Sequence, residues 1–427
     1  MKINLIHKNE DIFFNKIPTF FLIILPFLLI TGPFLSDLAV SISAILFLIN
    51  SIKNRLFKYY KNYFFIFFSI FWLYIIFNSL LNNINLDSLR ISFSFIRFGI
   101  FVLSTWYLIE NNKNLLKYLF YSIIICFSLL IIDGYIQFIF GSNILGFKLA
   151  SGPRISSFFG DELILGSYLA RFFPILFGLF IILKEELIKK KLLILISLIF
   201  IFSESLIFLS GERSAFFFMN LSAIYMVLLL KNYKKFRLII LTLSLALIIV
   251  IIQMYPSAKN RIIDQTILQM NLSNDDNSEK KYIFSEEHEN LFRTSLLIFK
   301  DNIFFGVGVK NFRNFCDDQK YINVEYISCS THSHNTYIQF LSELGIFGLM
   351  FISSILFYFI YISIDHLLNR FKKKYNKSDF QICMLSAILI SLWPFIPTGN
   401  FFNNWLCIVY FFPVGLYLSE IKKNDCS

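Results

Sequence analysis

Apolar stretches long enough to cross a bilayer recur along the chain, and short polar connections separate most of them. A transmembrane helix needs about 20 mostly apolar residues, and in lipid its backbone groups must be satisfied within the helix itself. The pattern therefore predicts an all-α polytopic membrane protein with about 12 transmembrane helices. The predicted spans are residues 17–33, 36–50, 62–82, 91–109, 117–140, 162–183, 192–210, 214–230, 237–254, 343–364, 379–395 and 402–419.

Composition and charge placement add an orientation to this pattern. The chain is 56% hydrophobic and 16% charged, whereas soluble domains are about half apolar and a quarter charged. The N-terminus, alternate connections and the C-terminal tail carry 24 Lys and Arg residues, and the short connections on the other side carry 4. Because basic residues concentrate on the cytoplasmic side, both termini are predicted to be cytoplasmic. The net charge of +11 follows from this topology and does not indicate nucleic-acid binding.

The same orientation divides the chain into three regions. Residues 1–254 hold nine predicted spans, and residues 255–342 form one long outer loop. Residues 343–427 hold the last three spans and a cytoplasmic tail.

Ionisable residues inside the predicted spans are the first candidates for function, because such groups are costly in a bilayer. Arg97, Asp133 and Glu204 lie in the outer halves of their spans, and Arg171 lies near mid-depth. Asp161 is near the outer start of the sixth span. Their shared depth predicts a polar cavity that opens to the outer face. The alternative is charge neutralisation that only holds the helices together.

Three arginines are expected at that outer face. Arg154 precedes the sixth span, Arg213 lies between two closely spaced spans, and Arg293 lies in the outer loop. A guanidinium pairs with a phosphate through two hydrogen bonds and stays charged at any working pH. Several arginines at one membrane face would suit a lipid that carries a pyrophosphate. The alternatives are a loop charge for Arg154, interfacial snorkelling for Arg213, and an i,i+4 pair with Glu289 for Arg293.

The outer loop is expected to contain structure of its own. Residues 257–270 and 289–300 have the pattern of amphipathic helices that lie on a bilayer surface. Cys316 and Cys329 are 13 residues apart. On the oxidising side of the membrane we expect them to form a disulfide, and the alternative is two free thiols.

The segment "THSHNTYIQFLS", residues 331–342, leads into the tenth span. If residues 334–343 are helical, three polar side chains share one face of the helix. A neutral imidazole suits proton transfer near pH 7, so His334 is predicted to be a general base or an orienting group. A polar cap without chemistry and a metal-binding pair are the alternatives. The remaining substrate-binding candidates of this segment are His332, Asn335, Tyr337 and Gln339.

Four pieces of the chain resemble the O-antigen ligase/O-antigen polymerase superfamily. They are "RISSFFGDELILGSYLARFFP", "LSGERSAF", "FKDNIFFGVGVKNF" and "HSHNTYIQFLSELGIFGL", in that order within residues 150–365. The resemblance implies a metal-independent membrane glycosyltransferase that takes glycan from undecaprenyl pyrophosphate on the periplasmic side. The functional arginines of the family fall on Arg213 and Arg293, and its histidine falls on His334. Glu212 departs from the small or neutral residue of many members, which questions how freely the neighbouring arginine engages phosphate.

The function expected from this resemblance is that of an O-antigen ligase in the bacterial inner membrane. Such an enzyme transfers finished glycan from its undecaprenyl-linked donor to lipid A-core. Direct displacement would invert the anomeric carbon, since no dedicated carboxylate nucleophile is evident, and no cofactor is expected. An O-antigen polymerase, which extends an undecaprenyl-linked repeat, is the main alternative. A protein-directed oligosaccharyltransferase and a lipid-linked oligosaccharide flippase are less favoured.

Overall fold

Helices, most of them apolar, account for nearly all of the regular structure in the described part of the chain, which also has short 3-10 and π-helical turns and isolated bridges such as Ser142 with Lys148. The computed structural model describes residues 12–82, 86–150, 154–183, 186–269, 283–321, 328–372 and 376–424. The helices are α1 (Ile17–Ile30), α2 (Pro33–Lys53), α3 (Tyr63–Leu81), α4 (Leu86–Ser94), α5 (Ile96–Asn111), α6 (Leu115–Phe140), α7 (Leu165–Ile182), α8 (Glu186–Ser210), α9 (Arg213–Leu229), α10 (Lys234–Met254), α11 (Pro256–Lys259), α12 (Gln265–Gln269), α13 (Glu286–Asp301), α14 (Phe312–Phe315), α15 (Thr336–Phe371), α16 (Asp379–Leu392) and α17 (Asn404–Asn424).

The prediction of an all-α membrane protein is confirmed. Within the described residues, nine helical segments are long and apolar enough to cross a bilayer, and the shorter helices α9 and α16 are also apolar. Each of the twelve predicted spans overlaps one or two of the helices. The fourth span lies within the single apolar segment Leu86–Asn111, in which a one-residue interruption at Phe95 separates α4 from α5. The number of spans and their orientation stay predictions.

Aromatic packing surrounds the interruption at Phe95, which is buried. Four rings form this cluster, those of Phe68, Phe95, Phe98 and Phe411. The ring centroids of the contacting pairs are 5.5 to 6.0 Å apart. They come from α3, the α4–α5 junction, α5 and α17. Such ring contacts add to the free energy gained by burial. The cluster therefore packs α3, α5 and α17 together around the α4–α5 junction.

The two amphipathic helices predicted in the outer loop are present. Residues 256–269 are helical, with a π-helical turn at Asn260–Asp264 between α11 and α12, and α13 covers the second predicted helix. Residues 270–282, which include the polar stretch between them, lie outside the described residues.

The start of α15 corrects the expected helix over residues 334–343. The helix begins at Thr336, and Asn335 is its N-cap, accepting hydrogen bonds from the backbone N–H groups of Tyr337 and Ile338. His334 has a positive φ of 53°, which an α-helix does not contain. His334 therefore lies in the turn before the helix and not on its polar face.

A break at Gly345 lets the outer loop dock onto α15. Gly345 has φ 68°, so its neighbours have backbone groups free of the helical ladder. The N–H of Ile346 donates to the carbonyl of Ile303 at 2.8 Å. The N–H of Gly308 donates to the carbonyl of Glu343, also at 2.8 Å. These bonds satisfy backbone groups that would otherwise be orphaned.

Candidate active site

Three histidines meet in front of α15. The rings of His332 and His334 lie 4.0 Å apart between centroids, at an interplanar angle of 33°. The ring of His288, on α13, contacts His334 edge-on at 5.4 Å. The order of contact is therefore His288, His334, His332, and we refer to these three as the histidine row. His288 was not predicted to take part, because it lies 46 residues before His334 and only the fold brings the two together.

Hydrogen bonds fix the imidazole of His332. Its Nε2 lies 3.3 Å from the carbonyl oxygen of Thr398, and its Nδ1 lies 2.9 Å from the hydroxyl of Thr331. A carbonyl only accepts, so the proton is assigned to Nε2. Burial, followed by the effect of His334, lowers the pKa of His332 to about 3. His332 is therefore neutral at any physiological pH, and both of its ring nitrogens are engaged.

His334 is the more available of the two. Its Nε2 has one contact with a side chain, the hydroxyl of Ser330 at 3.3 Å. Burial lowers the pKa of His334 from its ordinary value, and the negative charge of Glu287 opposes this effect. A neutral, half-buried imidazole can accept a proton at pH 7.

Backbone contacts hold the histidine row in place. The carbonyl of His334 accepts a hydrogen bond of 2.8 Å from the N–H of Thr398, in the connection between α16 and α17. Ser333 is buried and its hydroxyl accepts from Ser295 of α13 at 2.8 Å. These two contacts tie the turn to the loop after α16 on one side and to α13 on the other. The positive φ of His334 is held from both sides, as expected where a functional position carries backbone strain.

A disulfide lies upstream of the same turn. The sulfurs of Cys316 and Cys329 are bonded, and their Cα atoms are 5.0 Å apart. Cys316 directly follows α14, and Cys329 precedes the turn by two residues. The bond therefore joins α14 to the segment that carries the histidine row.

Three arginines gather at the junction of α8 and α9. Arg213 is the first residue of α9, and its Nη1 donates to the Oε1 of Gln269 at 2.7 Å. Arg154 donates from Nε to the carbonyl of Ser210 at 3.3 Å. Burial lowers the pKa of Arg154, the negative charge of Glu212 acts in the opposite direction, and the positive charges of Arg261 and Arg213 lower it further. We call Arg154, Arg213 and Arg261 the arginine cluster.

Arg261 was missed by the sequence reasoning. Its side chain crosses Gly211 so closely that a Cβ there would lie 2.5 Å from the Cδ of Arg261. Its Nε is buried and, among the described residues, has no hydrogen-bond partner. A buried unpaired donor is costly, and three neighbouring guanidiniums repel one another. Both facts favour an anion at this position. The available signal was the interfacial helix at residues 257–270, where Arg261 is one of two basic residues.

The carboxylate of Glu212 hydrogen-bonds to backbone N–H groups and not to Arg213. Its carboxylate accepts from the N–H groups of Gly166 at 2.7 Å and Ser167 at 3.1 Å, at the start of α7. A carboxylate at a helix N-terminus is favourable because of the helix dipole. Burial raises the pKa of Glu212 to about 7, while those two N–H groups and Arg154 act in the opposite direction. The concern that this residue would neutralise Arg213 directly is therefore not supported by its contacts.

His288 connects the arginine cluster to the histidine row. Its pKa is lowered by burial, then by His334 and by the positive charge of Arg213, whereas Glu287 acts in the opposite direction. Arg213 is therefore within electrostatic reach of His288. His288 therefore contacts the ring of His334 and also feels the positive charge of Arg213.

The other predicted arginines lie elsewhere. Arg293 is on α13 with 51% of its side chain exposed, and its Nη2 is 3.8 Å from the Oε2 of Glu289, which is the i,i+4 pair given as its alternative. Arg171 is only 3% exposed and donates to the hydroxyls of Ser167 and Ser391. Its guanidinium lies over the rings of Phe218 and Tyr410.

The acidic residues singled out in the sequence also lie apart from the histidine row. Asp161 is exposed. Asp133 is buried and accepts from the hydroxyl of Ser157 at 2.6 Å, so it holds the connection after α6. Glu204 is buried within α8. Arg97 pairs with Asp37 at 3.0 Å.

The polar residues of α15 mainly hold the structure. The Nδ2 of Asn335 donates to the carbonyl of Pro394 at 2.7 Å, and the hydroxyl of Tyr337 donates to the carbonyl of Leu392 at 2.6 Å. Gln339 is fully buried and accepts from the N–H of Phe401 at 3.0 Å. All three bind the end of α16 or the segment between α16 and α17. That segment contains Thr398, which hydrogen-bonds to the backbone of His334, so the three side chains support the position of His334.

Side chains with the spacing of metal ligands occur at one place in the described part of the chain. In that part of the chain, one group of three acidic, histidine or cysteine side chains brings its ligand atoms within 4.8 Å, and it consists of Cys316, Asp317 and Cys329. Its two sulfurs are bonded to each other, so they are not thiolate ligands. The ring nitrogens of the histidine row do not converge in this way.

The comparison with family models decides the relationship. Residues 196–353 match the model described as O-antigen ligase. This segment is similar to the O-antigen ligase family. The match confirms the resemblance to the O-antigen ligase/polymerase superfamily, whose members are membrane glycosyltransferase-like enzymes that use lipid-linked glycans. It runs from within α8 to within α15 and therefore includes Arg213, Arg261 and the whole histidine row. No curated protein matches the chain.

Proposed function

We propose that the protein is an O-antigen ligase-type glycosyltransferase of the bacterial inner membrane. It would transfer glycan from undecaprenyl pyrophosphate to lipid A-core, with its active site at the periplasmic face. The observation that carries the proposal is that Arg213, Arg261, His288 and His334 all lie inside the segment that matches the O-antigen ligase family, with the ring of His288 in contact with that of His334.

The arginine cluster is proposed to hold the pyrophosphate of the donor. A pyrophosphate would relieve the repulsion among Arg154, Arg213 and Arg261, and it would give the buried Nε of Arg261 an acceptor. The same contacts strengthen as negative charge develops on the leaving oxygen, which lowers the barrier to bond cleavage. Asp161, which is exposed, and Arg171, whose guanidinium donates to Ser167 and Ser391, are not assigned to this step.

His334 is proposed to activate the acceptor. Its neutral imidazole removes the proton of an acceptor hydroxyl as that oxygen attacks the anomeric carbon. The bond from the anomeric carbon to the phosphate oxygen breaks, and its electron pair stays on the undecaprenyl pyrophosphate. The result is one new glycosidic bond with inverted configuration. His332 keeps the ring of His334 in position through the stacked contact.

Arg293 is proposed to contact the donor only when it is bound. Its pair with Glu289 is half exposed and 3.8 Å long, and such pairs contribute about 0–1 kcal/mol. A phosphate or an anionic sugar can therefore replace Glu289 at low cost. This keeps Arg293 in the mechanism without requiring it to join the arginine cluster in the unliganded protein.

The test is complementation of a deletion strain with variants of the full chain. We expect Arg213→Ala and His334→Ala to lose glycan transfer, while Arg55→Ala, an exposed arginine after α2, retains it. Membrane levels of all three variants are compared by immunoblot. Transfer at the level of wild type by the His334 variant would contradict the mechanism.

The same strain separates ligase from polymerase. Gel analysis of its lipopolysaccharide should show core without O-antigen, and long undecaprenyl-linked polymer should accumulate. Core that carries a single repeat would instead identify a polymerase.

The remaining candidates, Asn335, Tyr337 and Gln339, are proposed to shape the acceptor-binding part of the site. They do so by holding the segment between α16 and α17 in place.

A further inference from the structure

A second basic cavity lies outside the arginine cluster and the histidine row. Its volume is about 500 Å³, and it is enclosed by the start of α2, by α4 and α5, by residues 309–314 and by the start of α17. This volume is within the range of about 300–1,000 Å³ that is typical of small-molecule sites. Its charged lining residues are Asp37, Asp87, Arg90, Arg97, Lys310 and Arg313.

One of the four cations is already neutralised. Arg97 forms an ion pair with Asp37 at 3.0 Å, and Asn404 hydrogen-bonds to both side chains. These three residues are bonded to one another and form one polar side of the cavity. Arg90, Lys310 and Arg313 remain, and among the described residues none of them has an ion pair with a carboxylate. With Asp87 as the other acidic lining residue, the cavity carries an excess of positive charge.

The backbone presents Lys310 to this cavity in a fixed way. Lys310 has φ 57°, and its N–H donates to the Oε2 of the buried Glu343 at 3.0 Å. Burial lowers the pKa of Lys310, and the charges of Arg313 and Arg97 lower it further, whereas Cys407 and Glu343 act in the opposite direction. The positive charges are therefore close enough to repel one another. A phosphate group among them would remove that repulsion.

One short helix and a disulfide connect the cavity to the segment that carries the histidine row. Arg313 lies on α14, and Cys316 directly follows that helix. The disulfide between Cys316 and Cys329 joins α14 to the segment that carries the histidine row. The charge of Arg313 contributes to the lowered pKa of His332, whereas that of Arg213 acts on His288. The two arginines therefore act on opposite ends of the histidine row.

We propose that this cavity binds the phosphate-bearing headgroup of the acceptor lipid, across the histidine row from the donor pyrophosphate. The proposal rests on the proposed function, since it assigns a second substrate to the same reaction. Two anionic substrates would then approach His334 from opposite ends, each held by its own set of cations. A bulk anionic phospholipid offers the same chemistry, so the experiments include it.

The first experiment separates the two substrates kinetically in the purified, reconstituted full chain. Arg313→Gln and Arg90→Gln should each raise the KM for a phosphorylated lipid A-core acceptor by about tenfold, the size expected for one charge-assisted hydrogen bond. The KM for the undecaprenyl pyrophosphate-linked donor should change by less than about twofold. Arg55→Gln, after the end of α2 opposite Asp37, is the matched control. An unchanged acceptor KM, or an equal rise for donor and acceptor, would overturn the assignment.

The second experiment needs no transfer activity. The amine of Lys310 is acetylated with a soluble reagent in the intact wild-type protein, and the extent of labelling is read by mass spectrometry. Diphosphorylated lipid A should slow labelling by about tenfold, whereas dephosphorylated lipid A should not. Equal protection by phosphatidylglycerol vesicles would assign the cavity to bulk phospholipid, and no protection by any lipid would also overturn the proposal.

The two experiments distinguish a failure of the proposed function from a failure of the proposed phosphate site. If diphosphorylated lipid A protects Lys310 while the wild-type protein transfers no glycan to lipid A-core, then the proposed function fails and the phosphate site stands. If transfer occurs without protection of Lys310, then the proposed function stands and this inference fails.

Discussion

His332 and His334 stack with their ring centroids 4.0 Å apart, yet only one of them is held by hydrogen bonds at both ring nitrogens. Thr331 and Thr398 occupy the nitrogens of His332, so it has no nitrogen left for a substrate proton. The ring of His334 contacts a single hydroxyl, that of Ser330. The pair therefore divides into a positioning residue and a candidate base.

This division predicts unequal effects of the same substitution. His334→Gln should lower the transfer rate by about 100-fold or more, the range attributed to a general base. His332→Gln should cost about tenfold or less, because glutamine still donates to the carbonyl of Thr398. Initial rates at saturating donor, with both variants normalised to their membrane levels, provide the comparison. Equal losses would argue against separate roles.

The pH profile should report the state of His334. Burial lowers its pKa below the ordinary value of 6.5, so the base is deprotonated above that lowered pKa and the rate falls only as pH drops through it. Glu287→Gln removes a negative charge that raises the pKa of His334, so the acid limb should move to still lower pH. Glu286→Gln, the adjacent exposed carboxylate, is the control. A shift to higher pH in the Glu287 variant would refute this reading.

Stability should follow the same sign. The pKa of His332 is lowered to about 3 in the folded protein, whereas it is near 6.5 in an unfolded chain. Its contribution is complete above about pH 6.5 and is lost as pH falls toward 3, because the unfolded chain takes up the proton first. His332→Gln should therefore flatten the acid dependence of the melting temperature measured in detergent.

Arg261 should matter as much as the arginines predicted from the sequence. Arg261→Gln removes one of three guanidiniums from the arginine cluster, and we expect the KM for the donor to rise about tenfold or more. Lys259→Gln is the matched control, since Lys259 lies two residues earlier with 49% of its side chain exposed. Donor titrations of both variants are compared. A donor KM at the wild-type value in the Arg261 variant would remove Arg261 from the site.

The disulfide should stabilise the outer loop. Replacing Cys316 and Cys329 together with serine should lower the free energy of unfolding by about 3 kcal/mol, the usual size for a loop of this length. Thermal unfolding in detergent measures the effect. Reductant should destabilise the wild-type protein and leave the double variant unchanged. Destabilisation of both by reductant would point to a different thiol chemistry.

The break in α15 offers a prediction about backbone geometry. A Cβ at Gly345 would lie 2.3 Å from the carbonyl oxygen of Phe304, and φ there is 68°. Gly345→Ala should therefore unseat the loop at residues 303–310 as well as strain the backbone. Gly146→Ala is the control, because Gly146 has φ 84° with nothing within 4 Å and should lose only about 1 kcal/mol. Equal melting temperatures would show that the loop does not depend on this contact.

The spans were predictable because membrane burial leaves a direct trace in the sequence. Each helix must present about 20 apolar residues to lipid whatever its neighbours are, so helices such as α6 and α10 follow from hydropathy alone. The packing of Phe95 against Phe68 and Phe411 was not predictable, because these rings lie on helices distant in sequence. The start of α15 was misjudged for a related reason. His334 has a positive φ, and its carbonyl accepts a hydrogen bond from Thr398, which is 64 residues away in the sequence.

For the candidate site, the sequence by itself determined the membrane class, the superfamily resemblance, and the chemical types expected at the outer face. It could name Arg213 and His334 because their residue types and local motifs are informative. Only the tertiary structure placed Arg261 across Gly211 and His288 against His334, and only it paired Arg293 with Glu289. Proximity between residues far apart in sequence depends on how helices pack. Helix packing is decided by many weak contacts, and no short motif records it.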